Sequence, residues 1–287
     1  GNTAANGGVV YTNMLNNSQI DFHWSNNSFD RNVGSKIGGV VYTNVLDNSH
    51  IDFHWNNNIF DGNTAPQNGG VLYLVIPNTC THSIVFDNNT MQYNVATGNG
   101  SIVSIQTAAN TTAPTSSTQQ LLQFSNNQLL HNRAQHGGVV AFLMMTSQTN
   151  QTLTMINNRV QNNTAIGVGG VVSSFSINHG LPFVDLESNQ LVGNVATQGA
   201  VLYLDDLSNT QQVNLTGNTI RSSKSGTKGA VVASFVKSGD LTDNVWSNNS
   251  VTNGSGANVW IQLKSGSQLA ITNETSDHNH GKSAWYV

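Results

Sequence analysis

The chain repeats itself at intervals of about 31 residues. The segment from Gly38 to Asn63, "GGVVYTNVLDNSHIDFHWNNNIFDGN", differs at six of 26 positions from the segment from Gly7 to Asn32, "GGVVYTNMLNNSQIDFHWSNNSFDRN". A fixed period of roughly 20–50 residues is the signature of repeat proteins, in which each unit packs on its neighbours. The repeat therefore restricts the chain to a solenoid, a propeller or another stacked array.

An asparagine pattern carries the repeat along the whole chain. The pattern N-x-h-x-x-N, in which h is an apolar residue, recurs in one frame at intervals of 31, 31, 38, 31, 31, 29 and 31 residues. The longest interval contains "TAANTTAPTSST", which we interpret as a loop insertion within a regular array. The leading asparagines of the pattern are Asn27, Asn58, Asn89, Asn127, Asn158, Asn189, Asn218 and Asn249.

Each repeat contains two clear strand patterns. Apolar residues occupy every second position before the leading asparagine, as in a strand with one buried face. Trp24, Trp55 and Trp246 share one of these columns, and Asn244 is the one polar exception in the other. A second apolar run follows a glycine or alanine, and no useful helical period is present. We therefore predict an all-β fold, a parallel solenoid of about nine coils of about 30 residues, forming one domain over residues 1–287.

In such a solenoid equivalent residues of successive coils lie directly over one another, about 4.8 Å apart. An asparagine at a corner can adopt the backbone angles of the bend, and its amide can bond to the asparagine of the next coil. The eight leading asparagines are therefore predicted to form a structural ladder.

Composition excludes several classes of protein. Only 8% of residues are charged, and the net charge of −4 gives no basic surface for nucleic acid. No apolar run approaches the roughly 20 residues of a membrane span, so none is expected in this segment. Cys80 is the only cysteine, which excludes a disulfide within the chain, and we expect it to be a small buried residue.

The motifs resemble those of a known superfamily. "FDRN" at Phe29 and "FDGN" at Phe60, together with "GGVV" at Gly7 and Gly38, are similar to the repeats of chlamydial polymorphic outer-membrane proteins and large adhesins. These repeats belong to the right-handed parallel β-helix proteins of the pectin-lyase-like superfamily. The resemblance implies a right-handed parallel β-helix and an extracellular or cell-surface rod used for adhesion or structure.

That superfamily also includes polysaccharide lyases and hydrolases, so the resemblance implies catalysis as one alternative. Such sites need carboxylates that converge on one face. Asp205 and Asp206 form the only adjacent acidic pair, and the four arginines lie at four different phases of the repeat. We therefore expect no enzyme, and keep a carbohydrate-binding or polysaccharide-cleaving β-helix using these two aspartates as the alternative.

One outward-facing patch contains the residue types that bind a divalent metal. Asp21 and His23 alternate with apolar residues, and Asp52 and His54 occupy the same phase one coil later. Two carboxylates and two imidazoles in a square could bind a metal ion. The competing interpretation is a polar outer face copied by duplication. No other cofactor is expected, and the histidines near Asp277 are interpreted as solvated.

N-linked glycans are predicted from the sequons. We select four asparagines in or near loops: Asn16, Asn110, Asn150 and Asn273. Three further sequons precede an asparagine of the repeated pattern, and a simple count of two places them inward, although the corner could reverse this. They are Asn26, Asn88 and Asn248.

Together these expectations describe an extracellular, glycosylated structural protein, either a filament subunit or the rod of a surface adhesin. The chain begins and finishes at about the same point of a repeat, and no capping helix is present in the pattern. Such ends are normally capped because an open strand edge pairs readily. We therefore expect a segment of a longer chain or a fibre subunit, with self-assembly end to end or laterally and with glycans as the other partners.

Overall fold

The chain folds as a parallel β-solenoid of about eight turns in the computed structural model. All strand pairs between named strands of the described residues are parallel, and equivalent residues lie about 31 positions apart, so the predicted fold class is confirmed. The structure describes residues 1–46, 48–77, 79–108, 119–144, 150–176, 181–206, 211–254, 256, 258–283 and 285–286.

Three sheets form the wall of the solenoid. Sheet 1 contains nine short strands stacked in parallel. Its strands are Thr3–Asn6, Val33–Ile37, Thr64–Ala65, Val95–Ala96, Arg133–Ala134, Thr164–Ala165, Val195–Ala196, Lys224–Ser225 and Ser250–Val251.

Sheet 2 consists of two columns, called here the leading and the trailing column. The leading column contains Val10–Met14, Val41–Val45, Leu72–Pro77, Val103–Ala108, Val140–Met144, Val172–Ser176, Leu202–Asp206 and Trp285–Tyr286. The trailing column contains Gln19–Ser25, His50–Asn56, Thr81–Asp87, Gln119–Ser125, Asn150–Ile156, Leu181–Glu187 and Gln211–Thr216. Two long strands run through both columns, Val231–Thr242 and Val259–Thr272.

Sheet 3 follows the trailing column after a tight corner. It again contains nine strands, and the middle residue of most of them is buried. Its strands are Ser28–Asp30, Ile59–Asp61, Thr90–Gln92, Gln128–Leu130, Arg159–Gln161, Gln190–Val192, Thr219–Arg221, Val245–Ser247 and Thr275–Asp277.

Apolar side chains from the sheets fill the interior as stacked columns. Phe53, Trp55 and Phe60 are at most 1% exposed, and each lies in register with its equivalent in the preceding coil. Because identical positions lie one above another, the rings stack, with Phe86 and Phe124 4.7 Å apart between centroids. Offset aromatic pairs add to the stability that burial provides. The single cysteine, Cys80, is buried as expected.

The recurring glycine pairs have two separate causes. The first glycine of a pair, such as Gly38, has a φ of +62°, in the left-handed region that glycine adopts without steric cost. The second glycine approaches the next coil, since a Cβ on Gly39 would lie 2.0 Å from the carbonyl oxygen of Gly70. The glycine pair therefore serves both the turn and the close stacking of coils.

The eighth coil is shorter than the sequence pattern predicts. The unbroken strand Val231–Thr242 replaces two strands and their connection, so Asn218 is followed in register by Asn244 after only 26 residues. The prediction that Trp246 belongs to the trailing column is therefore wrong, because Trp246 pairs with Ile220 in sheet 3. Asn244, treated above as an exception, occupies the position of a leading asparagine.

Candidate functional site

A ladder of asparagines, called here the first ladder, forms the corner between the trailing column and sheet 3. The backbone N–H and the side-chain Nδ2 of Asn58 both donate to Oδ1 of Asn89, over 2.8 and 3.1 Å. Nδ2 of Asn58 also donates to the carbonyl oxygen of Trp24 in the preceding coil, over 2.8 Å. Each amide thus joins three successive coils.

The same arrangement continues along the solenoid with one correction. Asn249 does not follow Asn218 in this ladder, because Nδ2 of Asn218 donates to Oδ1 of Asn244 over 2.9 Å. The carboxylate of Glu274 accepts from Asn244 and ends the ladder. The members of the first ladder are Asn27, Asn58, Asn89, Asn127, Asn158, Asn189, Asn218, Asn244 and Glu274.

A second ladder runs parallel to the first at the corner between sheets 3 and 1. The backbone N–H and Nδ2 of Asn63 donate to Oδ1 of Asn94 over 3.0 Å each. In the sequence, Asn63 and Asn94 are each the second asparagine of the repeated pattern. The members are Asn2, Asn32, Asn63, Asn94, Asn132, Asn163, Asn194, Ser223, Asn249 and Asn279, of which Asn194 and Ser223 are related by strand register.

Burial makes both ladders energetically important. Asn58, Asn89 and Asn127 are 1% exposed, so water is not available to replace a lost partner. A buried polar group left without a partner costs about 1–3 kcal/mol. Positive backbone φ angles occur beside the ladder, as at Asn57 and Asn88, because each corner needs a left-handed residue that asparagine tolerates.

The outer face of the trailing column carries a shallow polar groove, called here the outer groove. It has a volume of about 580 Å³ and crosses four coils. The rings of His23 and His54 stack 5.2 Å apart at an angle of 4° along it. Further along, Asp87 and Gln123 present a carboxylate and an amide. The groove places hydrogen-bonding groups beside two stacked imidazole rings.

The residues considered for a metal lie in and beside this groove. Nε2 of His54 lies 2.9 Å from Oδ1 of Asp52, and this pair is partly exposed. Asp21 instead accepts from the side chain of Gln19 over 3.2 Å. In the part of the chain that the structure describes, no three His, Cys, Asp or Glu side chains gather as metal ligands do. The arrangement is a stacked polar face rather than a closed coordination sphere.

Asp205 lies in a separate cluster on the outer face of the leading column. The hydroxyl of Tyr203 donates to Oδ2 of Asp205 over 3.3 Å, and burial together with this carboxylate raises the pKa of Tyr203 to about 12. Nζ of Lys228 lies 3.7 Å from the centroid of the Trp260 ring, a cation–π contact. Burial lowers the pKa of Lys228, and Asp205 opposes this shift. The side chain of Asp206 lies outside the described residues.

The sequon asparagines are placed differently from one another. Asn16 and Asn273 are exposed. Asn150 is the first residue of strand Asn150–Ile156, and its side chain lies outside the described residues, as does all of Asn110. The inward placement that a simple count gave to three other sequons is wrong, because a left-handed residue at the corner reverses the direction. The exposed residues concerned are Asn26, Asn88 and Asn248.

One buried histidine was not recognised in the sequence. His82 is 3% exposed, points into the solenoid and occupies the register position of Ile51. Burial, with a smaller effect of His50, lowers the pKa of His82 to about 3. Its Nδ1 has no hydrogen-bond partner among the described residues. The alternating pattern predicts that the side chain of His82 points inward, but histidine is a polar residue type that does not by itself indicate burial.

Within the described ranges there is no helix with the length and apolarity needed to cross a membrane. Comparison with protein-family models, with curated proteins and with solved structures finds no match for this chain.

Proposed function

We propose that this protein is an extracellular structural rod of the kind that forms the shaft of a surface adhesin. The observation that carries the proposal is the unbroken first ladder from Asn27 to Glu274, which connects the coils through one line of side-chain amides. Asparagine occupies this corner in eight coils, and its side chain bonds each coil to its neighbours. The ladder therefore favours regular stacking of the coils.

Stiffness follows from three sets of interactions that all run along the axis. Backbone hydrogen bonds join each coil to the next in parallel register. The apolar interior is continuous, with Phe86 and Phe124 fully buried in successive coils. The ladders add amide bonds at two corners. Bending the rod would strain all three at once, because packed interiors deform little.

An extracellular setting is supported by the surface chemistry. With only 8% charged residues, the chain has few ionic groups to keep its surface hydrated. Sugars on exposed sequons, with Asn16 and Asn273 as the described examples, would supply that hydration. The same sugars and the exposed corners are the contacts offered to partners, including other copies of the rod.

The proposal is tested by producing the chain through the secretory pathway of eukaryotic cells. We expect secreted, glycosylated material whose small-angle scattering fits a rod about 40 Å long, since about eight turns rise roughly 4.8 Å each. The alanine variant of Asn127, in the middle of the first ladder, should loosen the rod. Retention inside the cell without sugar would contradict the proposal.

A second candidate function is carbohydrate binding, and the outer groove favours it. His23 and His54 supply two stacked rings there, and Asp87 and Gln123 add polar groups, so the groove combines ring surface with hydrogen-bonding side chains, as ligand sites do. Affinity electrophoresis in gels containing soluble polysaccharides tests this function. Retardation that is lost in His54→Ala and kept in His278→Ala would support it.

Polysaccharide cleavage is the catalytic form of this second candidate. Asp205 is the described carboxylate with a phenol partner and a nearby lysine. Release of reducing sugar by the chain, abolished in Asp205→Asn and kept in Asp87→Asn, would replace the structural proposal with an enzymatic one.

A further inference from the structure

Four asparagines of this chain are followed directly by glycine: Asn6, Asn68, Asn99 and Asn253. In such a dipeptide the backbone nitrogen of the glycine can attack the amide carbon of the asparagine side chain, because glycine has no Cβ to obstruct the approach. The attack closes a five-membered ring and expels the side-chain nitrogen as ammonia, which makes asparagine a labile residue. Whether such a dipeptide reacts in the folded chain depends on whether its glycine nitrogen is free to turn.

The glycine nitrogen is held in three of the four dipeptides. The N–H of Gly69 donates to the carbonyl oxygen of Asn99 over 3.0 Å, and the N–H of Gly100 donates to that of His136 over 2.9 Å. The N–H of Gly7 donates to the following coil over 3.1 Å. All three glycines are buried and have φ angles between +58° and +64°. These nitrogens can react only after the coil opens locally, which the stacked neighbours oppose.

Two of these asparagines also have fixed side chains. The backbone N–H and Nδ2 of Asn99 donate to Oδ1 of Asn68 over 3.1 and 2.9 Å. The amide of Asn68 is therefore held by the following coil, and the amide of Asn99 by the preceding one. Each dipeptide would have to break this side-chain contact as well as the bond of its glycine before the ring could close.

The dipeptide of Asn253 and Gly254 lacks these restraints. The N–H of Gly254 donates to no acceptor among the residues that the structure describes, and Gly254 does not have a positive φ. The side chain of Asn253 is exposed and makes no hydrogen bond within the described part of the chain. The backbone N–H of Asn253 donates to the carbonyl oxygen of Gly226 over 2.8 Å, which anchors the connection to the preceding coil. Both reacting groups, the nitrogen of Gly254 and the amide of Asn253, are thus free.

The surroundings give water access to this dipeptide. It lies in the connection that follows the sheet 1 strand Ser250–Val251, beside a surface cavity of about 420 Å³ lined also by Gly281 and Lys282. A following coil contacts the same connection, since the backbone N–H of Gly256 donates to Oγ of Ser283 over 3.2 Å. The free glycine N–H is therefore found in a coil with a neighbour on each side.

Packing requires glycine at position 254. A Cβ on Gly254 would overlap the carbonyl oxygen of Thr227 in the preceding coil. A side chain that would hinder the attack therefore cannot be placed here without a shift of the backbone. The glycine that makes the dipeptide reactive is thus needed for the close stacking of the coils.

We propose that Asn253 is a site of spontaneous deamidation in the folded chain, and that Asn6, Asn68 and Asn99 are protected from it. Hydroxide removes the proton of the Gly254 nitrogen, and this nitrogen bonds to Cγ of Asn253. The bond from Cγ to Nδ2 then breaks, and Nδ2 leaves as ammonia after taking a proton from water, which restores the hydroxide. The product is a succinimide ring. A water molecule adds to either ring carbonyl and breaks its bond to the ring nitrogen, which leaves aspartate or isoaspartate.

The modification changes one connection of the solenoid. Either product adds a negative charge, and isoaspartate also adds one carbon to the backbone path. Asn253 begins the sequon Asn253-Gly254-Ser255, and a glycan on Nδ2 would occupy the nitrogen that has to leave. The inference therefore applies to chains without a sugar at Asn253, and it does not depend on the proposed function as a rod.

The test follows the four dipeptides in one sample by peptide mass mapping, with aspartate and isoaspartate products separated. The chain is produced in bacteria, so that no N-linked glycan is attached, and is incubated at mildly alkaline pH. The matched control is the same chain unfolded in guanidinium chloride, which gives the rate of each dipeptide without the fold. Asn253→Gln is the second control, because it removes this dipeptide and leaves the other three.

Folding should slow the conversion of Asn6, Asn68 and Asn99 at least about tenfold more than that of Asn253, because only those three need local opening. Isoaspartate should form at Asn253, which identifies the ring intermediate, since direct hydrolysis of the amide yields aspartate alone. In Asn253→Gln the folded chain should show no early conversion. A folded chain in which Asn253 is protected as strongly as the other three, or yields aspartate alone, would overturn the proposal.

Discussion

The side-chain amide of Asn218 donates to the side-chain oxygen of Asn244 over 2.9 Å, and the backbone N–H of Asn218 donates to the same oxygen over 2.9 Å. Only 26 residues separate the two, compared with 31 between most ladder neighbours. In this coil one continuous strand replaces two strands and their connection, and the hydrogen bonds between the ladder residues are kept. The ladder therefore defines a coil better than a constant number of residues does.

Removing one amide from the middle of the first ladder should destabilise the whole rod. Asn127→Ala leaves the backbone N–H of Asn89 without its acceptor, removes one of the three acceptors of Asn89 Nδ2, and removes the side-chain donor to the carbonyl oxygen of Phe86. With a cost of about 1–3 kcal/mol for each stranded buried group, we expect a loss of about 3 kcal/mol or more in the free energy of unfolding. Urea denaturation measures this loss. The control Gln128→Ala, at an exposed neighbour, should change stability by less than about 0.5 kcal/mol. Equal effects of the two variants would refute the prediction.

Acid should weaken the fold through His82. The pKa of this histidine is about 3 in the folded chain and about 6.5 when unfolded. Because the folded state holds the neutral form, stability is complete above pH 6.5 and falls as the pH drops from 6.5 towards 3. The loss is about 1.4 kcal/mol per pH unit in this window. His82→Ile, which introduces the residue of the preceding coil, should flatten the profile of unfolding free energy against pH. His280→Ala, at an exposed histidine, should leave the profile unchanged. A profile that keeps its slope in His82→Ile would show that another group is responsible.

Two buried tryptophans should respond differently to the same substitution. The indole N–H of Trp246 donates to Glu274, whereas the indole N–H of Trp55 is buried and has no partner among the residues that the structure describes. Trp246→Phe should therefore cost about 1–2 kcal/mol more than Trp55→Phe, because only the first leaves a carboxylate oxygen without its donor. Thermal or urea unfolding of both variants provides the comparison. The account fails on this point if Trp55→Phe proves the more damaging change.

Glycans are predicted on exposed asparagines of secreted material. Intact mass before and after enzymatic deglycosylation should differ by whole glycans from the 30.6 kDa of the bare chain. Asn16→Gln and Asn273→Gln should each remove one glycan, since both asparagines are exposed acceptors. Gln123→Ala, which alters no sequon, should leave the mass of the glycans unchanged. A secreted chain with the bare mass would contradict the glycoprotein part of the proposal.

The fold could be predicted because equivalent positions of successive repeats carry residues of the same type. In a stacked array an inward-facing position is apolar in successive coils, so Phe22 and Phe53 mark the same buried face in two coils. The corner asparagines could be found for the same reason, since a ladder is kept along its length. The wrong assignment of Asn249 arose because the eighth coil is five residues shorter than the usual 31. Asn249 lies five residues after Asn244, so it stands at the usual spacing from Asn218. Spacing in the sequence does not show which of Asn244 and Asn249 follows Asn218 in the ladder, whereas the hydrogen bonds do.

Other features of the structure could not be predicted from the repeated sequence pattern alone. Glu274 could have been noticed 30 residues after Asn244, but only with the correct frame for the eighth coil. The exposure of Asn26 depends on a left-handed φ of 59° at the corner, which reverses the alternation of side chains. The outer groove is formed by side chains from four successive coils. The repeat period alone does not predict how these side chains are placed relative to one another.

A pair of double-mutant cycles tests the central claim most directly, namely that ladder contact sets the register of the coils. Alanine is placed at Asn218 and Asn244 in one cycle, and at Asn218 and Asn249 in the other, with unfolding free energies from urea denaturation. We predict a coupling of about 1–3 kcal/mol between Asn218 and Asn244, and additivity within about 0.5 kcal/mol between Asn218 and Asn249. Coupling of Asn218 to Asn249, with none to Asn244, would contradict the account.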